Sequence, residues 1–152
     1  MSKYKLIQLT NNNIPAVTAG SFLPLGLITR RYNAPTTDCS TFEVITSGAD
    51  TVQITEPGYY KVTYSATLTA ADAGNIQVSL IANQNAVYSV AEEATAAEDV
   101  VNVTLIYVIR VCPNCCSSPV NCPVAIQLKL GDVALGITPS PSTGNLVIEK
   151  VG

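Results

Sequence analysis

Apolar residues fall on alternate positions through the middle of the chain. In "GYYKVTYSATL" one set reads Tyr60, Val62, Tyr64, Ala66, Leu68, and the other reads Tyr59, Lys61, Thr63, Ser65, Thr67. A period of two is the geometry of a strand with one apolar and one wetter face, here launched by the turn pair Pro57-Gly58. Similar runs follow one another beyond residue 40: "STFEVIT", "DTVQIT", "YYKVTYSATLT", "NIQVSLIAN", "AVYSV", "VVNVTLIYVIRV", "VAIQLKL", "VALGI" and "NLVIEKV". The segments between them, such as "TSGAD", "ADAGN" and "SPSTGN", are rich in residues that tolerate chain reversal. This rhythm predicts an all-β antiparallel sandwich or barrel. Helical periodicity is nearly absent. The exception is "AEEATAAED", residues 91–99, which reads either as a short helix, from its Ala and Glu content, or as a polar loop between two strands.

Two segments depart from simple alternation. In "VVNVTLIYVIRV", Tyr107 shares a face with Val101, Val103, Leu105 and Ile109. The opposite face, with Asn102, Thr104, Ile106, Val108 and Arg110, is also half apolar, so this strand is expected to be covered on both sides. Residues 1–35 instead hold small residues, prolines and isolated apolar positions without sustained period. They read as an extended N-terminal arm, followed by a single folded domain over 36–152. Either the first strand of this arm docks into the sheet, or Ile14, Phe22, Leu23, Leu25 and Leu27 anchor the domain to another protein.

Composition narrows the function classes. The 152 residues suffice for one domain that removes about 70% of its unfolded surface from water. Apolar residues make up 47% and charged residues 12%, which suits a surface partly covered by a partner. The net charge is -3 and Arg30-Arg31 is the only adjacent basic pair, so a nucleic-acid partner is not expected. No apolar run is long enough to span a bilayer as a helix, and no membrane partner is expected. The apolar run after the basic start "MSKYK" stops after four residues, which does not make a secretory signal; the expectation is a protein assembled in the cytoplasm. Histidine is absent, which removes the usual general base and the commonest metal ligand, and an enzyme is not expected. No cofactor is expected.

The cysteines carry the most evident candidate chemistry. "CPNCCSSPVNCP" supplies Cys112, Cys115, Cys116 and Cys122, with Cys39 far away. Three readings stand: a zinc site, although the ligands crowd one short loop; disulfides formed outside a reducing compartment; or free thiols in a proline-pinned loop. A bridge between adjacent Cys115 and Cys116 is strained, so a disulfide pairs one of them with Cys112 or Cys122. Glu92-Glu93 and Glu98-Asp99 are either solvated charges or oxygen ligands for calcium. Asn102 opens a formal glycosylation triplet, "NVT", discounted because it lies inside the most apolar strand.

The order of the runs resembles the jelly roll of complement-type globular heads and tumour necrosis factor-like domains, including bacterial exosporium heads and phage virion surface proteins. The matching residues are Gly58 followed by Tyr60, Val62 and Tyr64, then Ser79, Leu80, Ile81, Ala82 and Asn83 before a small loop, and Leu146, Ile148 and Lys150 on the last strand. The resemblance covers residues from about 40 to 152. It implies an all-β, antiparallel, TNF-like jelly-roll sandwich that forms a homotrimer, with Tyr60, Val62, Tyr64, Leu68, Leu105 and Tyr107 in the core or at the trimer interface. No collagen-like stalk is present, unlike in exosporium heads, and without a secretion signal receptor signalling is not implied. Taken with the low charge and the apolar arm, the expectation is a structural protein of the virion surface, a bacteriophage capsid decoration or head-fibre protein held to the shell by its arm. The alternatives are a spore-surface protein and a receptor- or carbohydrate-binding module; for the last, an absence of Trp and only two Phe leave few aromatic platforms.

Overall fold

The computed structural model describes residues 5–32, 42–45, 50–111, 124–131 and 137–152, with the backbone alone at 42–45 and 138–141. Ten strands run in chain order: β1 (Leu6–Asn11), β2 (Leu27–Tyr32), β3 (Phe42–Ile45), β4 (Thr51–Ile54), β5 (Gly58–Ala70), β6 (Gly74–Ala82), β7 (Asn85–Ala94), β8 (Val100–Val111), β9 (Val124–Leu130) and β10 (Ile137–Lys150). No helix occurs among the described residues. The strands form two five-stranded antiparallel sheets, ordered β2-β1-β10-β5-β8 and β3-β4-β9-β6-β7. β1-β2, β3-β4 and β6-β7 pair as sequence neighbours, whereas from β4 to β5, β5 to β6 and through β7 to β10 the chain changes sheet at each step, and its last long strand lies at the centre of the first sheet.

Alternation decides which face is buried. Tyr60, Val62, Tyr64, Ala66 and Leu68 of β5 point inward with Leu146 and Ile148 of β10 and Ile7 and Leu9 of β1; Ile76, Val78 and Leu80 of β6 meet them from the second sheet with Ile126, Leu128 and Leu130 of β9. Full burial of each such aliphatic or aromatic side chain contributes roughly 1.5–3 kcal/mol against chain entropy.

Residues 5–32 are not an arm outside this sandwich. β1 lies between β10 and β2, paired from Leu6↔Glu149 to Asn11↔Gly144. Beyond it the chain bridges the two sheets. Ile14 donates its N–H to the Ser142 carbonyl (2.8 Å) and Val17 exchanges bonds with Ile137, both on β10 of the first sheet. Gly20, Ser21 and Leu23 then bond to β9 of the second sheet, Leu23 N–H reaching the Leu128 carbonyl at 2.8 Å. The irregular spacing of Ile14, Leu23 and Leu25 reflects this crossing, in which single side chains drop into the core from a segment that follows neither sheet for long; all three are buried. The division at residue 35 therefore does not separate an arm from a domain.

The segment 91–99 also departs from expectation. β7 continues through Ala94, paired with β6 as far as Gly74↔Ala94, and a tight turn follows. One oxygen of the Asp99 carboxylate accepts bonds from the amides of Thr95 (2.8 Å) and Ala96 (3.0 Å) and from the Thr95 hydroxyl (2.5 Å). Cross-strand pairing overrides the helix propensity of Ala and Glu, and the aspartate closes the turn.

Candidate interaction surface

The sequence-predicted core or interface residues separate by exposure. Tyr60, Val62, Tyr64, Leu68 and Leu105 have at most 1% of their surface accessible, so they fill the space between the sheets and offer nothing to a partner. Tyr60 donates its hydroxyl to the Glu56 carbonyl at 2.9 Å. The Tyr64 hydroxyl has no hydrogen-bond partner among the described residues, and burial pushes its pKa above the usual phenol value. Tyr107 is half-buried at the sandwich edge, stacked on Tyr88 of β7 with ring centroids 5.4 Å apart. Of the arm residues, Ile14, Leu23 and Leu25 are unavailable for anchoring, whereas Phe22 and especially Leu27 are exposed.

The opposite face of β8, expected from its half-apolar pattern to be covered, is open: the sandwich has two layers, so one face of the strand lies over the core and the other faces out. Ile106 and Val108 on that open face are about half exposed, at 52% and 50%. Register places Lys61 beside Val108 and Tyr59 beside Arg110. Around the edge, Val87 and Tyr88 of β7 continue the apolar surface, and Val87, Tyr107, Val108 and Arg110 line a hollow of about 380 Å³ there. Monomeric proteins commonly guard sheet edges with charged side chains. Here the charges on the two adjoining edges, Arg110 on β8 and Glu92 and Glu93 on β7, leave between them a stretch of valine, isoleucine and stacked tyrosines.

Comparison with solved structures decides the architecture. The globular domain of the zebrafish complement 1qA protein superposes with a TM-score of 0.64 at 8% identity, over 97% of this chain and 98% of that one. PRD1 vertex protein P5 superposes with a TM-score of 0.62 at 15% identity, over 97% of both chains. Murine APRIL gives 0.61 at 13% identity, over 98% of this chain and 100% of its own. The fold is the complement-head and TNF-like jelly roll. No protein-family model matches the sequence, and no curated protein matches it. The jelly roll spans nearly the whole chain in all three superpositions, in agreement with β1 and β2 lying in its first sheet.

The remaining candidates divide plainly. Cys39, Cys112, Cys115, Cys116 and Cys122 lie outside the described residues. Glu92 and Glu93 sit exposed on β7, Glu98 and Asp99 lie in the turn after it, and no cluster of three potential metal ligands occurs among the described residues. Asn102 is within β8, as expected, but on the open face of the jelly roll.

Proposed function

We propose that this chain is a structural, non-catalytic protein that associates into homotrimers and is displayed on the surface of a virus particle, as a capsid decoration or head-fibre protein of a bacteriophage. The observation that carries the association is the uncovered apolar band formed by Tyr59, Val87, Tyr88, Ile106 and Val108 on a jelly roll whose interior is already filled. A sister copy seated on that band removes apolar surface from water at about 25 cal/mol per Å². Threefold symmetry is what the complement-head and TNF-like resemblance implies. Display on a particle is supported by the full-length likeness to PRD1 vertex protein P5. With Ile14, Leu23 and Leu25 committed to the core, attachment falls to β2, an edge strand whose six residues are all exposed, Leu27 at 79%.

Sedimentation of the purified chain tests the association. A mass of three chains is expected, and Val108→Asp, at a half-exposed position that leaves the core intact, is expected to sediment as a folded monomer. A wild-type chain that stays monomeric at high concentration overturns the reading. Antibody labelling of purified particles tests display; Leu27→Glu is expected to keep the trimer and lose the label.

A further inference from the structure

Towards the other end of β8 the outer face of the first sheet changes character. A groove of about 410 Å³ crosses β1, β10, β5 and β8, and none of its lining side chains is charged. Asn102 of β8 accepts there from the Thr67 hydroxyl at 3.0 Å, and Asn145 of β10 accepts from the Thr10 hydroxyl at 3.0 Å and from Gln8 Nε2 at 2.9 Å. Both amide oxygens are thereby used within the sheet, and both amide NH2 groups are left without a protein partner among the described residues. Thr67 and Thr10, their protons committed, each keep an oxygen lone pair to accept with. Each side of the groove thus presents a held amide donor beside a hydroxyl acceptor.

A ring of three copies needs a second surface of this kind. Across a twofold axis an edge meets its own equivalent, but in a ring each copy offers one surface and receives a different one. The apolar band lies on the edge shared by β7 and β8, so the receiving surface lies elsewhere on the same copy. The groove adjoins the band on β8, with Asn102 six residues, about 20 Å, from Val108. Its uncharged lining leaves no ion stranded when water is expelled, whereas the outer side of the second sheet carries Lys129 and Glu93.

We propose that the groove receives the β7 edge of a sister copy. The inference rests on the homotrimer reading and names the surface that each copy lends to the next. β7 ends the second sheet and pairs only with β6 among the described residues, so its free side presents backbone N–H and C=O groups in alternation. An amide donor beside a hydroxyl acceptor complements that edge: Asn102 and Asn145 donate to its carbonyls, and the threonine oxygens accept from its N–H groups. Val87 and Tyr88 lie on the arriving strand, so the same step takes part of the apolar band out of water. The only charges on that strand are Glu92 and Glu93, and Arg30, beside Gln8, borders the receiving surface with the opposite sign. Because bonds inside the sheet already hold the amides, little side-chain freedom is lost on association.

The experiment replaces each amide NH2 by an oxygen in the full chain. Asn102→Asp and Asn145→Asp keep the acceptor used within the sheet but set a carboxylate against the arriving carbonyls; Gln127→Glu adds the same charge on the outer side of the second sheet. Sedimentation at one fixed concentration is expected to give three chains for the wild type and for Gln127→Glu. In either groove variant association is expected to weaken roughly a hundredfold or more, the scale for a charge buried without a partner, with strand content by circular dichroism unchanged. Asn102 is exposed in the single chain, so its variant decides even if Asn145→Asp impairs folding. Hydrogen exchange read by mass spectrometry is expected to show β7 protected in the trimer and released in Asn102→Asp. A trimeric wild type with an equally trimeric Asn102→Asp, or β7 amides that exchange alike in trimer and monomer, overturns the groove as the receiving surface and leaves the trimer standing. A wild type that is monomeric at high concentration overturns both, so the two failures are distinguishable.

Discussion

A two-residue cycle between Gly144 and Tyr64 tests the register of β10 against β5. Side chains on β10 alternate, so Thr143 and Asn145 face outward only if Gly144 faces the core. A Cβ added at Gly144 meets the Tyr64 hydroxyl oxygen at 2.4 Å, its Cζ at 3.1 Å and Ile14 Cδ1 at 3.3 Å. Gly144→Ala alone must therefore push the phenol out of place in a filled core, at a cost of about 1–3 kcal/mol. Tyr64→Phe removes a buried hydroxyl that has no partner among the described residues and is expected to stabilise by about 1 kcal/mol. In the Tyr64→Phe background the 2.4 Å clash is gone while the approaches to Cζ and Ile14 Cδ1 stay tight, so the roughly 0.5–1 kcal/mol that a glycine in an element interior gives up is offset and Gly144→Ala becomes close to neutral. The expected coupling is about 2 kcal/mol, read from urea unfolding of the four proteins at one fixed concentration. Additivity within about 0.5 kcal/mol would place Gly144 and Tyr64 apart, and would take Asn145 and Thr143 off the open face.

Other perturbations probe separate parts of the fold. Glu56 joins the buried ammonium of Lys5 to Lys150, which approaches it at 3.4 Å, so Glu56→Gln leaves Lys5 uncompensated and is expected to cost about 2–3 kcal/mol, whereas Lys150→Met costs less than about 1 kcal/mol; chemical denaturation compares them. Asn83 and Gln84 turn β6 into β7 with φ of 49° and 69°, so Gln84→Gly is expected to raise stability by about 0.5–1 kcal/mol. Asn83→Ala at the same turn loses the 2.8 Å bond from the Ala125 amide to Asn83 Oδ1 and lowers stability, both changes being read from thermal melts. The Thr95 hydroxyl, with the Thr95 and Ala96 amides, holds the Asp99 carboxyl below the usual carboxylate range. Its contribution is then complete above the unfolded-state value and fades as pH falls through the lowered folded value, so the difference in melting temperature between wild type and Asp99→Asn should shrink on acidification.

Strand type and face were readable where one sheet face covers the core. The alternation at Tyr60, Val62 and Tyr64 named inward positions because period two leaves only two faces. It failed where the chain leaves the sheets: Ile14, Leu23 and Leu25 looked like an apolar arm because the hydrogen bonds that tie them to Ser142 and Leu128 join residues more than 100 positions apart. The polar rows on the outer face of the first sheet were illegible for the same reason. Thr10, Thr67, Asn102 and Asn145 are ordinary polar residues in four unrelated stretches, and only the registers of β1, β10, β5 and β8 make neighbours of them. Asn102 was visible as half of a glycosylation triplet, a reading that concerns local sequence and says nothing of the face it shares.

The pattern of β8 required cover on both faces, and the fold supplies it on one. This gap is informative because periodicity reports that a face is apolar without reporting whose atoms will lie on it. In a sandwich of two sheets every strand has one face that its own chain leaves open; β8 ends its sheet beside β7, which ends the other, so apolar side chains of both meet at a shared edge. Were the edge built for solvent, charged or proline residues would be expected along it. Arg110 on β8 and Glu92 and Glu93 on β7 supply some charge, yet the stretch between them holds Val87, Tyr88, Ile106, Tyr107 and Val108, and farther along β8 the exposed positions are Thr104, Asn102 and Val100. Val108→Asp is accordingly expected to abolish association while the buried side of β8, with Val103 and Leu105 in the core, keeps the sandwich folded, so a monomer that melts cooperatively supports the reading and an unchanged sedimenting mass refutes it.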